Sequence, residues 1–461
     1  MKELLTLSLT GVFTMIADMF NLRKFVFPLA LFGLAMTISW SIFDWDYHQN
    51  VYNMMQIDNY ALAFTGVMCV TAIMWLMMSE HYFSKFPVIT DRFALVFFAL
   101  VGSLTMVSYT NLVMLFIGIE ILSISLYVLA GSSKKDMSSS EAAFKYFLMG
   151  AFASGFLLFG IALIYGVTGS FDLLKIQSQL NALPASNSMV VCGVLMILIG
   201  LGFKLGAAPF HFWTPDVYQG SPIPVTAFMA TIVKTAAIGA MYKIFLICFS
   251  LSSVTPIWGN IVAGMIILTL LIGNITAVAQ TDAKRMLAFS SISHAGYVLL
   301  AVLCVNSVAD NSILFYMASY SVATITAFMV LYIVNQAQDS TNIEAFKGLG
   351  KKNPLLAFAM TLALLSMAGI PPLAGFMGKY YIFINAISEG HLWIVLFAII
   401  MSLVGFYYYF KIIIAMFFQE NTDKENIALY KTDMLQNLLL IISCGLLLIL
   451  GLFPQLVYNV L

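Results

Sequence analysis

The stretch Gly202–Lys234 reads GFKLGAAPFHFWTPDVYQGSPIPVTAFMATIVK and lies between two long apolar runs. It carries Lys204 and Lys234, with four prolines between them that interrupt helical hydrogen bonding. A helix broken at membrane depth occurs only where protein or a water-filled cavity surrounds it. A lysine at the bilayer centre costs about 2.5–3.5 kcal/mol on insertion, so such residues usually face the bundle interior. Two buried lysines around a broken helix therefore predict an ion or proton pathway.

The composition predicts an all-α polytopic membrane protein. The chain has 461 residues, of which 61% are hydrophobic and only 9% are charged, and its mean hydropathy is +0.96. The short alternating segments typical of a membrane barrel are absent from the sequence. Long apolar runs dominate instead, and they predict bilayer-spanning helices.

The same composition argues against several other classes of function. Net charge is zero, and no basic run with interleaved aromatics suggests binding to nucleic acid. The five cysteines are scattered without CxxC spacing, so we expect neither a metal site nor a disulfide framework. No nucleotide loop, flavin motif or iron–sulfur motif is present, so no cofactor is expected in this chain.

Fourteen apolar segments are long enough to span a bilayer, which requires about 20 helical residues. They cover residues 3–20, 25–43, 58–78, 93–109, 111–130, 142–167, 189–212, 222–248, 256–279, 285–304, 312–335, 354–385, 391–418 and 434–459. Helix seven is predicted to be discontinuous near Pro209, and helix twelve near Pro371 and Pro372.

Lysine and arginine bias predicts the orientation. Loops after even-numbered segments contain only Lys175. Loops after odd-numbered segments contain thirteen basic residues, which are Arg23, Lys24, Lys85, Arg92, Lys134, Lys135, Lys284, Arg285, Lys347, Lys351, Lys352, Lys424 and Lys431. The odd loops are therefore expected in the cytoplasm, with both termini on the outer side.

Polar residues recur at a nearly constant spacing of 174 to 177 positions. The pairs are Glu120 with His294, Lys204 with Lys379, and Lys234 with Lys411. The shift equals five segments, an odd number, so the two units have opposite topology, as in transporters with inverted repeats. The chain is predicted to comprise a three-helix segment (1–92), two inverted five-helix repeats (93–248 and 256–418) and a C-terminal helix (419–461).

The central lysines and Glu120 can form a proton relay. Burial favours the neutral form of a lysine, and a nearby carboxylate favours its charged form. A carboxylate that approaches or leaves a buried lysine therefore loads or unloads a proton. We predict Glu120 and Lys204 as such a pair, with Lys234 accepting the proton and Lys379 passing it on. His211 and His294 titrate in a suitable range to take part.

Each of these residues also has a purely structural explanation. The buried carboxylate and lysines could simply hold helices together, and either histidine could be a hydrogen-bonded core residue. Lys145, Lys243 and Lys411 lie near segment ends and could extend to the surface, which we favour for the last two. Asp216 is expected to brace the chain after the break.

Four segments resemble a known family, the antiporter-like membrane subunits of respiratory complex I. They are FIGIEILSISLYVLAG (116–131), GFKLGAAPFHFWTPDVYQGSPIPVTAF (202–228), QTDAKRMLAFSSISHAGYVL (280–299) and GIPPLAGFMGKYYIF (369–383). The segment EAAFKYFLMGAFASG (141–155) and the lysine of GFMGK make the chain most similar to the subunit N family of bacterial NADH–quinone oxidoreductases.

The resemblance implies fourteen core helices and a proton relay at Glu120, Lys204, Lys234 and Lys379, with Lys145 and His211 as associated members. It implies a subunit of a translocating NADH–quinone oxidoreductase that couples quinone reduction elsewhere in the complex to proton pumping. NADH, FMN, iron–sulfur clusters and quinone would be bound by partner subunits.

The resemblance also predicts the surroundings of the chain. The expected partners are an adjacent antiporter-like subunit and small linking subunits, within the lipid bilayer of a bacterial inner membrane. Three alternatives remain: a subunit of a multisubunit cation/proton antiporter, a subunit of a membrane-bound hydrogenase, and a structural spacer that no longer pumps.

Overall fold

A computed structural model describes residues 1–20, 22–84, 89–133, 135–182, 187–250, 255–306, 308–419, 430 and 432–461. Four of the basic loop residues used to predict orientation, Lys85, Lys134, Lys424 and Lys431, lie outside the described residues.

The described chain is built almost entirely of helices. They are α1 (Lys2–Ile16), α2 (Val26–Phe43), α3 (Asn59–Ser84), α4 (Thr90–Ser108), α5 (Leu112–Ala130), α6 (Met137–Thr168), α7 (Leu173–Ala182), α8 (Ser188–Leu205), α9 (Trp213–Gly220), α10 (Ile223–Ala230), α11 (Ile232–Cys248), α12 (Thr255–Val278), α13 (Ala283–Cys304), α14 (Ala309–Gln338), α15 (Leu349–Lys352), α16 (Pro354–Ala368), α17 (Ala374–Ser388), α18 (Leu392–Phe418), α19 (Met434–Leu452) and α20 (Gln455–Tyr458). Two short 3₁₀ helices span Arg23–Phe25 and Ile343–Phe346, and β1 (Gln49–Val51) pairs antiparallel with β2 (Met55–Ile57).

Within the described ranges, twelve helical segments are long and apolar enough to cross a membrane. Every one of the fourteen predicted segments contains a helix. However, α1 and α16 have only 15 residues each, so neither is long enough to be counted among these twelve segments. Helices α13 and α14 are the most enclosed, whereas less than half of α6, α18 and α19 is buried. The polar residues of α13 therefore lie in the centre of the bundle.

The first broken helix ends at Gly206, close to the break predicted near Pro209. Gly206 has a φ of +68°, which a residue with a side chain rarely adopts. Its N–H donates to the Phe203 carbonyl (3.0 Å), and the Ala207 N–H donates to the Gly202 carbonyl (2.9 Å). These bonds satisfy the last carbonyls of α8 in a Schellman motif. The chain then continues as the separate helix α9.

The second broken helix ends in the same way at Gly369, whose φ is +91°. The Gly369 N–H donates to the Ser366 carbonyl (3.0 Å), and the Ile370 N–H donates to the Leu365 carbonyl (3.1 Å). This is again a Schellman motif, and it closes α16 before α17 begins. The two interruptions therefore share one local geometry.

Two backbone bridges join the start of one helix to the chain that follows the next helix. The first bridge pairs Asn111 with Asp172 and the second pairs Asp282 with Asn342, both antiparallel. Their hydrogen bonds run from Leu112 N–H to the Phe171 carbonyl (2.9 Å), Leu173 N–H to the Thr110 carbonyl (3.0 Å), Ala283 N–H to the Thr341 carbonyl (2.8 Å) and Ile343 N–H to the Thr281 carbonyl (2.9 Å). Equivalent positions in the two bridges are 170 or 171 residues apart.

The predicted segment 222–248 is a stretch of membrane length, but it contains a helix interruption that the sequence did not predict. The chain is interrupted at Thr231 (φ −111°, ψ −78°), which separates α10 from α11. The Thr231 hydroxyl donates to the Ala227 carbonyl at 2.7 Å. Neither glycine nor proline marks this position, so the usual sequence signals for a break are missing. The interruption places Lys234 in the first turn of α11.

Two expectations about cations are also corrected. Lys243 does not extend to the surface, because its amine donates to the Val107 carbonyl (3.2 Å) and lies over the rings of Tyr60 and Tyr109. Lys284, counted as a loop residue, is only 6% exposed. Both lysines are held by carbonyl oxygens within the protein, which replace their contacts with water.

Candidate functional site

Lys204 lies one residue before the end of α8 and is only 2% exposed. Its amine donates to the Ser123 hydroxyl at 2.6 Å. It also lies 5.6–5.8 Å from the ring centres of Tyr127, Tyr146 and Phe203, within the range of cation–π attraction. The amine is therefore enclosed by one hydroxyl and three aromatic faces.

Glu120 lies one helical turn before Ser123 on α5 and accepts a hydrogen bond from the Ser154 hydroxyl. Among the ion pairs of the described residues, none joins Glu120 to Lys204 within 4.0 Å. The two charged groups approach the same turn of α5 but are each bound to a serine. The structure thus brings the predicted partners to one place without direct contact.

Lys234 is 3% exposed, and its amine donates to the Ser291 carbonyl on α13 at 2.5 Å. A cavity of about 10 Å³ separates it from His294 and is also lined by Tyr316 and Tyr320. A cavity of this volume has room for about one water molecule. Lys234 and His294 are thus neighbours across a gap that one water can bridge.

His294 occupies the centre of the bundle, with a tyrosine hydroxyl at each ring nitrogen. Nδ1 lies 2.7 Å from the Tyr316 hydroxyl, and Nε2 lies 3.1 Å from the Tyr409 hydroxyl. A second cavity of about 10 Å³ extends from His294 to Ser366 and Gly375, on either side of the second helix break. His294 therefore lies between Lys234 and the broken helix that carries Lys379.

Lys379 is 7% exposed and lies in α17, after the break. Its amine donates to the Ala368 carbonyl (2.8 Å) and the Ser402 hydroxyl (2.9 Å), and it lies 4.6 Å from the centre of the Tyr297 ring. Ala368 is the last residue of α16. A cation at a helix C-terminus interacts favourably with the helix dipole, so the break itself stabilises this charge.

Lys145 lies apart from this buried group. Its amine contacts Glu141 at 2.7 Å and Asp216 at 3.1 Å, and its side chain is 39% exposed. Arg285 binds the other oxygen of Asp216 at 3.0 Å. Asp216 braces α9 between two cations, as predicted, and Lys145 belongs to this peripheral network.

His211 lies in the first break, is 5% exposed, and stacks on Phe212. Its Nδ1 atom has no hydrogen-bond partner. The side chains of Thr214, Tyr218 and Ser221 also carry unpartnered buried polar atoms. Thr214 and Tyr218 are four residues apart in α9 and share one face of it, whereas His211 precedes this helix and Ser221 follows it. Thr214 and Tyr218 thus give α9 a polar face, with His211 at its break end and Ser221 at its other end.

A polar cavity of about 520 Å³ lies at the far end of this face. Ser221, Gln219, Lys284, Asp136 and Asp339 are among its lining residues. The buried amine of Lys284 donates to the Gln219 carbonyl (2.8 Å) and the Ser221 carbonyl (2.5 Å). The polar face of α9 thus ends at a cavity large enough for many water molecules.

Sequence reasoning missed the hydroxyl residues that bind the charged groups. Ser123, Ser154, Ser402, Tyr316 and Tyr409 each contact a predicted relay residue or His294. Serines in helices usually bond to their own backbone, so a serine in the sequence carries no signal of an outside partner. Among the described residues, no three His, Cys, Asp or Glu side chains come together as a metal-binding group.

Comparison with known proteins gives a consistent result. A family model described as NADH:quinone oxidoreductase/Mrp antiporter, TM, matches residues 109–405. The chain is 40% identical to NADH-quinone oxidoreductase subunit N of Cytophaga hutchinsonii, over 100% of this chain and 99% of the relative. It is also 40% identical to subunit N of Flavobacterium psychrophilum over the full length of both chains.

Solved structures show the same fold. A chain of respiratory complex I from Thermus thermophilus with bound aureothin is 34% identical, with a TM-score of 0.85 over 99% of this chain and 98% of that chain. A chain of the archaeal membrane-bound sulfane sulfur reductase is 25% identical, with a TM-score of 0.87 and coverage of 99% and 95%. A chain of the Mrp complex from Dietzia is 19% identical, covers 99% and 95%, and matches in fold at a TM-score of 0.86.

Proposed function

The chain belongs to the NADH:quinone oxidoreductase/Mrp antiporter family of membrane subunits, and we propose that it is the proton-translocating subunit N of a bacterial NADH–quinone oxidoreductase. The full-length similarity to subunits of that name supports this proposal. The structural observation that carries it is the series Lys204, Lys234 and Lys379, each at most 7% exposed, with His294 between the last two. Such buried ionisable residues within a membrane bundle are typical of proton relays.

In the proposed relay, protons pass between side chains within the bundle. Lys204 holds a proton near Glu120 and releases it toward Lys234. The cavity beside Lys234 leads to His294, and the second cavity leads on to the broken helix of Lys379. His211 lies at the break end of the polar face of α9, and Lys145 steadies that helix through Asp216. These last two residues assist the relay rather than carry it.

The proposed architecture has fourteen transmembrane helices, with inverted repeats at 93–248 and 256–418 between flanking parts at 1–92 and 419–461. Two observations support the repeats. Both broken helices end in a glycine-centred Schellman motif, and both repeats carry a backbone bridge at equivalent positions. Adding α1 and the broken pair α16–α17 to the twelve long segments gives fourteen.

The proposed location is the bacterial inner membrane, with both termini on the outer side. The distribution of lysine and arginine between loops supports this orientation. It puts Lys284, Arg285 and the 520 Å³ cavity on the cytoplasmic side. Protons would enter there, along the polar face of α9, and leave on the outer side.

The proposed partners are an adjacent antiporter-like subunit and the small subunits that link it to the quinone-reducing arm. NADH, FMN, iron–sulfur clusters and quinone belong to other subunits in this proposal, and the present chain binds no redox cofactor. Its own role is to use transmitted conformational energy to move protons.

A second candidate is a subunit of a multisubunit cation/proton antiporter. The family description includes Mrp antiporters, and the Dietzia Mrp chain has the same fold. The same lysines and carboxylate would serve there, but transport would be driven by an ion gradient and not by a redox reaction. Dependence of proton movement on NADH separates the two candidates.

The test is Lys204→Ala in the complete native complex in membrane vesicles. NADH-driven quinone reduction, proton uptake and assembly on a native gel are measured together, with Lys347→Ala as control because Lys347 pairs with Glu344, three residues away. We expect normal assembly, with pumping and turnover both reduced at least about tenfold. Normal pumping in the assembled variant would overturn the proposed relay.

A further inference from the structure

We propose that Ser123 and Ser154 are positioning residues that hold Lys204 and Glu120 apart, in the arrangement from which Lys204 releases its proton. The inference rests on the proposed function, since it concerns the same carboxylate and lysine. Its content is new: the charged groups have neutral hydroxyl partners, and exchange of these partners opens and closes the ion pair.

The hydrogen bonds at this site form two separate contacts. Lys204 donates to the Ser123 hydroxyl, which itself donates to the Ile119 carbonyl. Glu120 accepts from Ser154, which lies on the neighbouring helix α6. Each charged group thus has its own hydroxyl partner, Lys204 being buried and Glu120 half-buried, in keeping with the rule that charges removed from water need hydrogen-bond partners.

The geometry makes exchange between the two contacts a local event. Glu120 and Ser123 are three residues apart on α5, and side chains at that spacing are neighbours about 5–6 Å apart on a helix surface. The long side chain of Lys204 can therefore move its amine from the serine hydroxyl to the carboxylate by rotating about its own bonds. No displacement of α5 or α8 is needed.

The two arrangements favour different protonation states of the lysine. When Lys204 is bound to Ser123, a hydroxyl and three aromatic rings surround it. When it is bound to Glu120, the carboxylate stabilises the charged amine. The serine-bound arrangement is the one from which a proton leaves more readily. The serines thus keep the lysine ready to donate.

A neighbouring serine provides a matched control. Ser125 lies on the same helix, is 4% exposed, and donates to the Ile121 carbonyl at 2.9 Å, much as Ser123 donates to Ile119. The described contacts of Ser125 include no lysine or carboxylate. Ser123→Ala and Ser125→Ala therefore remove the same hydroxyl from the same helix, but only the first removes a partner of Lys204.

The experiment compares Ser123→Ala, Ser123→Thr and Ser125→Ala in the assembled complex in vesicles. We expect Ser123→Ala to lower NADH-driven proton pumping about three- to tenfold, because Lys204 then pairs permanently with Glu120. Ser123→Thr, which keeps the hydroxyl, is expected to recover at least half of the activity, and Ser125→Ala to pump within a factor of two of the wild type.

A spectroscopic readout follows the carboxylate directly. In infrared difference spectra, a band that Glu120→Gln removes identifies this side chain, and Ser123→Ala is expected to shift it. If Ser123→Thr does not assemble, Ser154→Ala and Ser154→Thr provide the same comparison from the carboxylate side.

The proposal is overturned if Ser123→Ala pumps like Ser125→Ala, or if the threonine variants assemble but are as inactive as the alanine variants. These outcomes differ from a failure of the proposed function. If Lys204→Ala abolishes pumping while Ser123→Ala has no effect, the relay stands and only the positioning role is lost. If Lys204→Ala also pumps normally, the relay itself is wrong.

Discussion

The two broken helices end alike but use their lysines differently. Lys204 precedes its break and donates to a serine on another helix, whereas Lys379 follows its break and donates both to Ser402 and to the last carbonyl of α16. A serine side chain can be exchanged for another partner, but a backbone carbonyl at a helix end cannot move away. The first break is therefore suited to partner exchange, and the second to holding a cation at one place.

The polar groups that the proposed repeats place at corresponding positions differ as well. The first half has a carboxylate, Glu120, and the second has an imidazole, His294, held between two tyrosine hydroxyls. A carboxylate attracts a nearby lysine ammonium strongly, whereas a neutral imidazole offers it only a hydrogen bond. In the proposed relay, the first half therefore holds and releases a proton through an ion pair, and the second conducts it between fixed partners.

The largest expected effect is a difference in the amount of assembled complex between glycine-to-alanine substitutions at the two helix breaks. A Cβ atom on Gly375 would lie 1.9 Å from the Ser366 carbonyl oxygen, which is backbone. A Cβ on Gly206 would lie 2.6 Å from the Thr214 hydroxyl, which can rotate, although its positive φ adds about 1–2 kcal/mol of strain. We expect Gly375→Ala to lower the amount of assembled complex at least about tenfold, and Gly206→Ala to leave most of it.

Quantitative native gels and thermal denaturation of the purified complex measure this difference. Equal losses in the two alanine variants would contradict the idea that the second break is the more rigid one.

A second prediction compares two lysines that donate to carbonyls at, or just after, a helix C-terminus, a contact called capping here. Lys379 donates to the Ala368 carbonyl at the end of α16, and Lys411 donates to the Gln280 carbonyl just after α12, at 2.8 Å. If position in the relay matters more than capping, Lys379→Met lowers NADH-driven pumping about tenfold, while Lys411→Met stays within a factor of two.

Proton uptake in vesicles, corrected for the amount of assembled complex, tests this comparison. Similar losses in both variants would show that capping, and not proton transfer, explains the importance of Lys379.

The smallest effect is expected for substitution of Lys145, which lies at the edge of the first proposed repeat. Lys145 is partly exposed and paired with Glu141 and Asp216, and exposed ion pairs contribute only about 0–1 kcal/mol. Asp216 keeps Arg285 when Lys145 is removed. We expect Lys145→Ala to reduce turnover by less than about twofold. A loss as large as that of Lys204→Ala would place Lys145 within the relay itself.

Much of this fold is predictable because the bilayer imposes strict rules. Apolar runs of membrane length locate the helices, and Pro209 and Pro371 mark the two breaks. Lys204, Lys234 and Lys379 stand out because a lysine inside an apolar segment is costly. In each case a single residue type, such as a proline in a helix or a lysine in an apolar segment, has a large energetic effect. Its position in the sequence is therefore enough to predict the feature.

The other contacts depend on how the helices pack together, and the residue pattern of one sequence does not predict that packing. Ser123 and Ser125 look equivalent in the sequence, yet only Ser123 meets Lys204. Lys243 lies near a segment end, but the rings of Tyr60 and Tyr109, which come from distant segments, enclose it. Such contacts depend on how helices turn toward one another, and that is settled by the whole bundle.

The two backbone bridges have a consequence for measuring motion in this protein. The Leu112 and Ala283 amides, each the first of a helix that carries a relay residue or His294, donate to carbonyls across the bridges. First-turn amides normally lack a partner within the helix, so they exchange rapidly with solvent deuterium. Here both exchange slowly while the bridges are closed. The proposed inverted repeats place the two bridges on opposite faces of the membrane. The rate of deuterium uptake at each of these two amides therefore reports how often the protein opens at that face.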